Sequence, residues 1–229
     1  MLYYAFDPLY LYLVLPTMLF AMWAQFLIKQ RFKKYSKQRT MRGLTGAAAA
    51  YEVLRQAGVN GVRIERVSGE LSDHFDPKHN VIRLSDSVHD VASVAAVGVA
   101  AHEAGHAIQY AASYVPMKIR AGIIPVTNFG SMLAIPLVFA GLFFEMTGLI
   151  NLGILLFGVV VLFQLLTLPV EFNASRRAIN LLRDTGVLAK EEIPASRKVL
   201  SAAALTYVGA LAVSLAQLIR LMAIANRRR

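Results

Sequence analysis

The chain has 229 residues, is 56% hydrophobic and carries a formal net charge of +10. Soluble domains are about 45–50% apolar, so the excess indicates another environment. The chain has no cysteine, which excludes thiolate metal sites and cysteine catalysis. The basic charge does not indicate nucleic-acid binding, because seven Lys and Arg cluster without an acid between Lys29 and Arg42, directly after an apolar run. Such a basic collar is typical of a segment that faces the lipid bilayer from the cytoplasm.

Four uncharged runs predict a helical, multi-pass integral membrane protein. They occupy residues 9–28, 121–144, 146–170 and 199–219, and about 20 helical residues cross a bilayer. The first run is interpreted as a retained anchor, since basic residues and no cleavage site follow it. The positive-inside rule then places the N-terminus outside and the polar stretch 44–116 in the cytoplasm, as in a bacterial-type plasma membrane. The fourth run contains several polar residues, so it either crosses or packs along the polar portion.

The expected organisation has five segments. They are an N-terminal membrane anchor (1–28), a basic collar with the catalytic portion (29–120), a two-helix membrane hairpin (121–170), a third-ligand helix and loop (171–198) and a C-terminal hydrophobic helix (199–229). In the catalytic portion, residues 47–56 predict a helix, and residues 62–67 and 81–84 predict strands of a short β-hairpin. Asp90 or Ser93 caps a long helix over 91–112. The predicted fold is mainly α, a helical membrane protein with a small cytoplasmic α+β zincin-like portion.

The long helix carries an HEXXH motif, His102-Glu103-Ala104-Gly105-His106. Residues four apart share one face of a helix, so both imidazoles can reach one zinc ion. Glu103 lies too far round the axis to be a ligand but is placed to act as general base on an activated water. Two other interpretations are a pair of buried core histidines and a site that has lost its activity.

A catalytic zinc ion usually has three protein ligands, and the motif supplies two. Glu171 is the preferred third ligand, because it is the only carboxylate between Glu145 and Asp184 and follows the third apolar run directly. It is expected to begin a helix there. His74, His79 and His89 are the alternatives.

Other side chains are candidates for supporting roles. Asn173 and Ser175 share a helical turn with Glu171 and are expected to orient ligands. Arg176 or Arg177 could pair with Glu171 or Asp184, or could face lipid. Tyr207 could donate to the transition-state oxyanion or could be an interfacial aromatic. The strand at 81–84 could present an edge to an extended peptide.

Several segments together resemble the YugP-like neutral zinc metallopeptidases of bacterial membranes. They are His-Glu-Ala-Gly-His on an Ala/Val helix, the preceding Val-Ile-Arg-Leu-Ser, and the later Pro-Val-Glu-Phe-Asn-Ala-Ser-Arg-Arg-Ala. The resemblance covers nearly the whole chain and implies a zinc-dependent membrane peptidase with His102 and His106 as ligands and Glu103 as the base. A more distant likeness is to HtpX-type and CAAX prenyl proteases, in which a later Glu-x-x-x-Asp supplies the third ligand. Glu171 matches that Glu, whereas Ser175 stands at the Asp position, which is a departure.

The sequence therefore predicts a membrane endopeptidase that uses one zinc ion and acts on a peptide or protein substrate at or near the bilayer. The alternative is a non-catalytic zinc-binding membrane scaffold or quality-control partner. A channel or transporter is disfavoured, because the apolar runs lack the charged residues that line ion pathways.

Overall fold

A computed structural model describes residues 8–70 and 72–226 and shows a protein built mainly of helices. The helices are α1 (Leu15–Tyr35, which follows a π-helical segment at Tyr10–Val14), α2 (Gly46–Gln56), α3 (Val94–Ala111), α4 (Val115–Phe143), α5 (Thr147–Asp184) and α6 (Ile193–Asn226). The strands are β1 (Arg63–Val67), β2 (His74–Asp76) and β3 (Val81–Ser85). The predicted fold class, a helical membrane protein with a small α+β portion, is confirmed.

Within the described ranges, four helical stretches are long and apolar enough to cross a membrane. They are Tyr10–Tyr35, Val115–Phe143, Thr147–Asp184 and Ile193–Asn226. Many of their large exposed side chains are apolar; Met132 is 67% exposed and Leu155 is 66% exposed. Many large apolar side chains exposed on long helices are costly in water and are typical of helices solvated by lipid chains. The fourth predicted run, in α6, meets the same length and composition criteria.

The chain forms two compact units. The first consists of the described residues up to Gln25, Lys118–Pro169, and the described residues from Leu205 onward. The second consists of Phe26–Met117 and Val170–Ala204. The five-segment organisation expected from the sequence stays a prediction.

In the first unit, α4 and α5 are consecutive helices that approach closely, and the membrane hairpin expected over residues 121–170 stays a prediction. A Cβ on Gly153 of α5 would lie 2.6 Å from the carbonyl oxygen of Ala134 in α4. Only glycine permits that distance, and small residues at helix contacts are the usual way in which membrane helices pack. The turn between the two helices passes through Glu145, whose φ is 57°.

In the second unit, the three strands form a sheet in the order β1-β3-β2. β1 and β3, the two strands expected from the sequence, pair in parallel, whereas β2 pairs with β3 in antiparallel fashion. The short hairpin is therefore formed by β2 and β3, and β2 lies in the segment for which only turns were expected. The expectation that β3 presents a free edge is wrong, since β3 is the central strand and has a neighbour on both sides.

The helix α3 lies at the centre of the second unit. Its N-cap is Ser93, whose hydroxyl accepts a hydrogen bond from Ala96 N, so the choice between Asp90 and Ser93 falls on Ser93. Most of its residues are buried, as expected for a helix that is apolar nearly all round. They pack with α2, with β3 and with the parts of α5 and α6 that belong to this unit.

The helix α5 continues through Pro169, so the expectation that a new helix begins at Glu171 is wrong. Glu171 lies well inside one helix of 38 residues. Proline removes one helical hydrogen bond and usually ends or kinks a helix. In membrane helices, however, proline is tolerated when packing and nearby hydroxyls compensate.

Candidate metal centre

The histidines of the HEXXH motif lie one turn apart on the same face of α3. Their ring centroids are 4.7 Å apart, and the ring planes are nearly perpendicular at 83°. The spacing follows from the helical period alone. Neither ring packs away from the other, as two unrelated core histidines would.

Glu171 of α5 meets both rings. Its Oε2 atom lies 3.2 Å from Nε2 of His102 and 3.5 Å from Nε2 of His106. One ligand atom from each of the three residues lies within 4.8 Å of the others, and His106 and Glu171 are buried. Ligands at 2.0–2.1 Å from a tetrahedral zinc ion are separated by about 3.3 Å. The observed separations fit such an ion, and two imidazoles with one carboxylate are a donor set used by catalytic zinc sites.

A close approach between α3 and α5 brings these groups together. A Cβ on Gly105 would lie 2.7 Å from the carbonyl oxygen of Ala174 in α5. Gly105 is the fourth residue of the motif, and Ala174 lies almost one turn after Glu171. The missing side chain therefore allows the backbone that carries the carboxylate to come near the histidines.

The Nδ1 atoms of both histidines have polar partners. Ser175 Oγ lies 3.1 Å from Nδ1 of His102, and Gln109 Oε1 lies 3.0 Å from Nδ1 of His106. Such contacts leave Nε2 of each ring directed to Glu171. Ser175, one of the two residues expected to orient ligands, thus contacts a histidine.

Asn173 lies near the site and is hydrogen-bonded to Gln109 and Arg177. Its Oδ1 accepts hydrogen bonds from Gln109 Nε2 at 3.0 Å and from Arg177 Nε at 2.8 Å. Gln109 was not among the predicted site residues, yet its side chain is completely buried. The sequence does contain a signal for Gln109, because a glutamine close to a candidate ligand in an apolar helix must find hydrogen-bond partners. Asp184, for which Arg176 or Arg177 was a candidate partner, forms an ion pair with Arg183 at 3.0 Å.

Glu103 is 7% exposed, and no described residue forms a hydrogen bond or ion pair with its carboxylate. Its charge nevertheless acts on the neighbouring ring. Burial lowers the pKa of His106, but the hydrogen bond with Glu171 and the charges of Glu103 and Glu171 outweigh burial, so the pKa is raised above its ordinary value. The pocket is therefore an environment that favours positive charge, as a cation site requires.

The alternative histidines lie apart from this cluster. Nδ1 of His74 contacts the Ser72 carbonyl, and the other two pair with Asp76 and Asp90. Tyr207, proposed as an oxyanion donor or interfacial aromatic, is half-buried in α6. Its role stays a prediction, as do the catalytic role of Glu103 and the ligand roles of the cluster.

The fold and the site define a helical membrane protein with a candidate His/His/Glu metal centre. A family described as "Putative neutral zinc metallopeptidase" matches residues 10–226, and the chain belongs to this family. The chain is also similar to the "Putative membrane protease YugP" of Bacillus subtilis (strain 168), with 45% identity over 216 residues that cover 94% of this chain and 96% of that protein. No solved structure matches the chain significantly. The predicted YugP-like family is thereby confirmed.

Proposed function

We propose that this protein is a zinc-dependent membrane endopeptidase that hydrolyses peptide bonds. The observation that carries the proposal is the convergence of Nε2 of His102, Nε2 of His106 and a Glu171 oxygen from a separate helix. Membership of the zinc metallopeptidase family supports zinc as the ion and proteolysis as the activity. One ion is sufficient for this donor set.

When bound, zinc supplies Lewis acidity that lowers the pKa of water and polarises the scissile carbonyl. Glu103 accepts the proton that water loses and later delivers it to the leaving amine. No described residue pairs with its carboxylate, which favours this role, because a carboxylate engaged in an ion pair would be a weaker base. A structural zinc site normally has four protein ligands. Three converging ligands beside an uncommitted carboxylate favour catalysis over a purely structural staple.

The proposed substrate is a membrane-associated peptide or protein. Glu171 directly follows the uncharged run 146–170, which places the site near the end of a predicted crossing. The outer edge of β2 is the proposed place for an extended segment, by main-chain pairing. β2 lies beside the motif helix, since the rings of Phe75 and Tyr110 are 5.9 Å apart.

The decisive experiment compares zinc content and peptide hydrolysis in protein purified in detergent. Glu103→Gln is expected to keep its zinc and to lose at least about 10²-fold in hydrolysis of a quenched-fluorescence peptide library. Glu171→Ala is expected to lose the zinc. Glu52→Gln, a change of a partly exposed carboxylate in α2, is the matched control and should retain both properties. Full hydrolysis by Glu103→Gln contradicts the mechanism, and zinc-loaded wild type without hydrolysis favours the scaffold.

The proposed topology places the N-terminus outside and the metal centre in the cytoplasm. The cysteine-free sequence makes it directly testable. In whole cells, a membrane-impermeant maleimide should label Glu145→Cys and not Lys190→Cys, while both should react after lysis. The reverse pattern would invert the proposed orientation.

A further inference from the structure

We propose that Gln109 is a positioning residue that holds His106 with its proton on Nδ1 and its Nε2 lone pair directed into the metal centre. The inference rests on the proposed function of the site as a zinc centre. Gln109 is a buried polar side chain outside the HEXXH motif, and the ligand role of Glu171 does not explain why it is there.

Gln109 is fully buried and uses both ends of its amide. Its Oε1 lies 3.0 Å from Nδ1 of His106. Its Nε2 donates to the Val170 carbonyl at 2.7 Å and to Oδ1 of Asn173 at 3.0 Å. A buried amide with unsatisfied ends would be costly, and these three contacts satisfy it within two helices.

The direction of these hydrogen bonds follows from the partners. A backbone carbonyl such as that of Val170 can only accept. The guanidinium Nε of Arg177 can only donate, and it donates to Asn173 at 2.8 Å. The Asn173 atom that faces Arg177 and Gln109 is therefore the oxygen Oδ1. The amide nitrogen of Gln109 must face these two acceptors, and its oxygen must then face His106.

The consequence for His106 is a single arrangement of protons. Because Gln109 Oε1 only accepts, Nδ1 of His106 must carry a proton. With Nδ1 committed to Gln109, Nε2 is the nitrogen left for the metal, which would take the place of any proton shared there with Glu171. That nitrogen, Nε2, is the one that lies 3.5 Å from Glu171 Oε2.

The same amide also links the two halves of the metal centre. Val170, which accepts from Gln109, is the residue before Glu171, and Gln109 lies in the last part of the motif helix. Gln109 therefore holds His106 and the backbone beside Glu171 in one hydrogen-bonded unit. Outer partners of this kind typically contribute about 10–100-fold to metal affinity.

Two variants separate positioning from packing. Gln109→Met keeps a side chain of similar length and removes every hydrogen bond. Gln109→Glu retains an acceptor for His106 but cannot, as a carboxylate, donate to Val170 or Asn173. Three quantities are measured on the full-length protein in detergent or lipid: the protonation of His106 Nδ1 by nitrogen NMR at pH 8, the zinc dissociation constant by chelator competition, and the melting temperature.

The NMR spectrum covers only five histidines, and a His106→Asn sample assigns the signal. Wild type is expected to show a protonated Nδ1. Gln109→Met should show mixed tautomers and bind zinc about 10–100-fold more weakly. Gln109→Glu should keep the Nδ1 proton and most of the zinc affinity. The loss of its hydrogen bonds to Val170 and Asn173 should lower the melting temperature.

An unprotonated Nδ1 in wild type would overturn the proposal, as would a Gln109→Met protein with unchanged tautomer and zinc affinity. Equal losses of affinity in both variants would show a packing role only. If wild type bound no zinc but kept the Nδ1 proton in a Gln109-dependent way, the proposed function would fail and the positioning would stand.

Discussion

The close contact between the motif helix and α5 leads to a quantitative prediction for Gly105→Ala. The added Cβ would lie 2.7 Å from the Ala174 carbonyl oxygen, which is 0.7 Å short of the 3.4 Å at which ordinary contact begins. Its distances to the Ala174 carbonyl carbon and Cα would be 3.2 and 3.3 Å. All three atoms belong to the backbone, so no side-chain rotation relieves the clash, and α5 must move relative to α3.

A displacement of that size matters more for the metal than for the fold. Metal–ligand distances are held to within about 0.2 Å, and Glu171 lies three residues before Ala174 on the displaced helix. We expect Gly105→Ala to weaken zinc binding at least about 10–100-fold. Overpacking costs about 1–3 kcal/mol, whereas alanine in place of glycine adds about 1 kcal/mol of helix stability. The net loss of about 0–2 kcal/mol should lower the melting temperature by only a few degrees.

The assay is chelator competition for zinc together with thermal unfolding of the detergent-purified protein. Gly98→Ala is the matched control, two turns earlier in α3. Its added Cβ would meet the Ser196 hydroxyl oxygen at 2.5 Å and no other atom closer than 3.6 Å, so rotation of one side chain relieves the contact. The control should bind zinc as wild type does. Wild-type zinc affinity in Gly105→Ala, or an equal loss in both variants, would refute the argument that this glycine sets the distance between the ligands.

Three further predictions concern polar groups of the second unit. Hydrogen bonds from Arg83 and a neighbouring histidine hold the pKa of Asp76 below its usual range, so its stabilising effect should be complete above about pH 4 and be lost as the pH falls through the lowered pKa. The melting temperature of Asp76→Asn should therefore lie below that of wild type at pH 7, and the difference should shrink towards pH 3; a gap independent of pH would contradict this. Glu192 is 3% exposed and accepts two backbone N–H groups at 2.9 and 2.8 Å, so Glu192→Ala should reduce the free energy of unfolding by about 1–3 kcal/mol, whereas a change within error would show that water replaces the carboxylate. Ser175→Ala removes the hydroxyl 3.1 Å from His102 Nδ1 and should weaken zinc binding about 10-fold or more, while Ser175→Thr retains the contact; equal affinities of the two variants would exclude this role.

The membrane character and the first two site residues are local properties, and the sequence was sufficient for both. An uncharged run of about 20 residues matches the bilayer thickness wherever it lies in the fold. Likewise, His102 and His106 share a face because the helical period places residues four apart together. Neither inference requires knowledge of how distant segments pack.

The strand order and the course of α5 were outside the reach of local patterns. The sequence pattern predicts β1 and β3 as strands, but it predicts a hairpin between them, whereas their parallel register is a non-local contact. Pro169 signals a helix end in isolation. The helix nevertheless continues through Pro169, and Glu171 consequently lies inside a helix.

The sequence by itself determined a helical membrane protein with an HEXXH helix and ranked Glu171 first among the candidate third ligands. Only the tertiary structure decided that the carboxylate lies 3.2 Å from a ring 69 residues earlier, and that Gln109 lies behind the other ring. The physical reason is the contact at Gly105. The distance between two helices depends on which side chains are absent where they cross, and that depends on both segments at once.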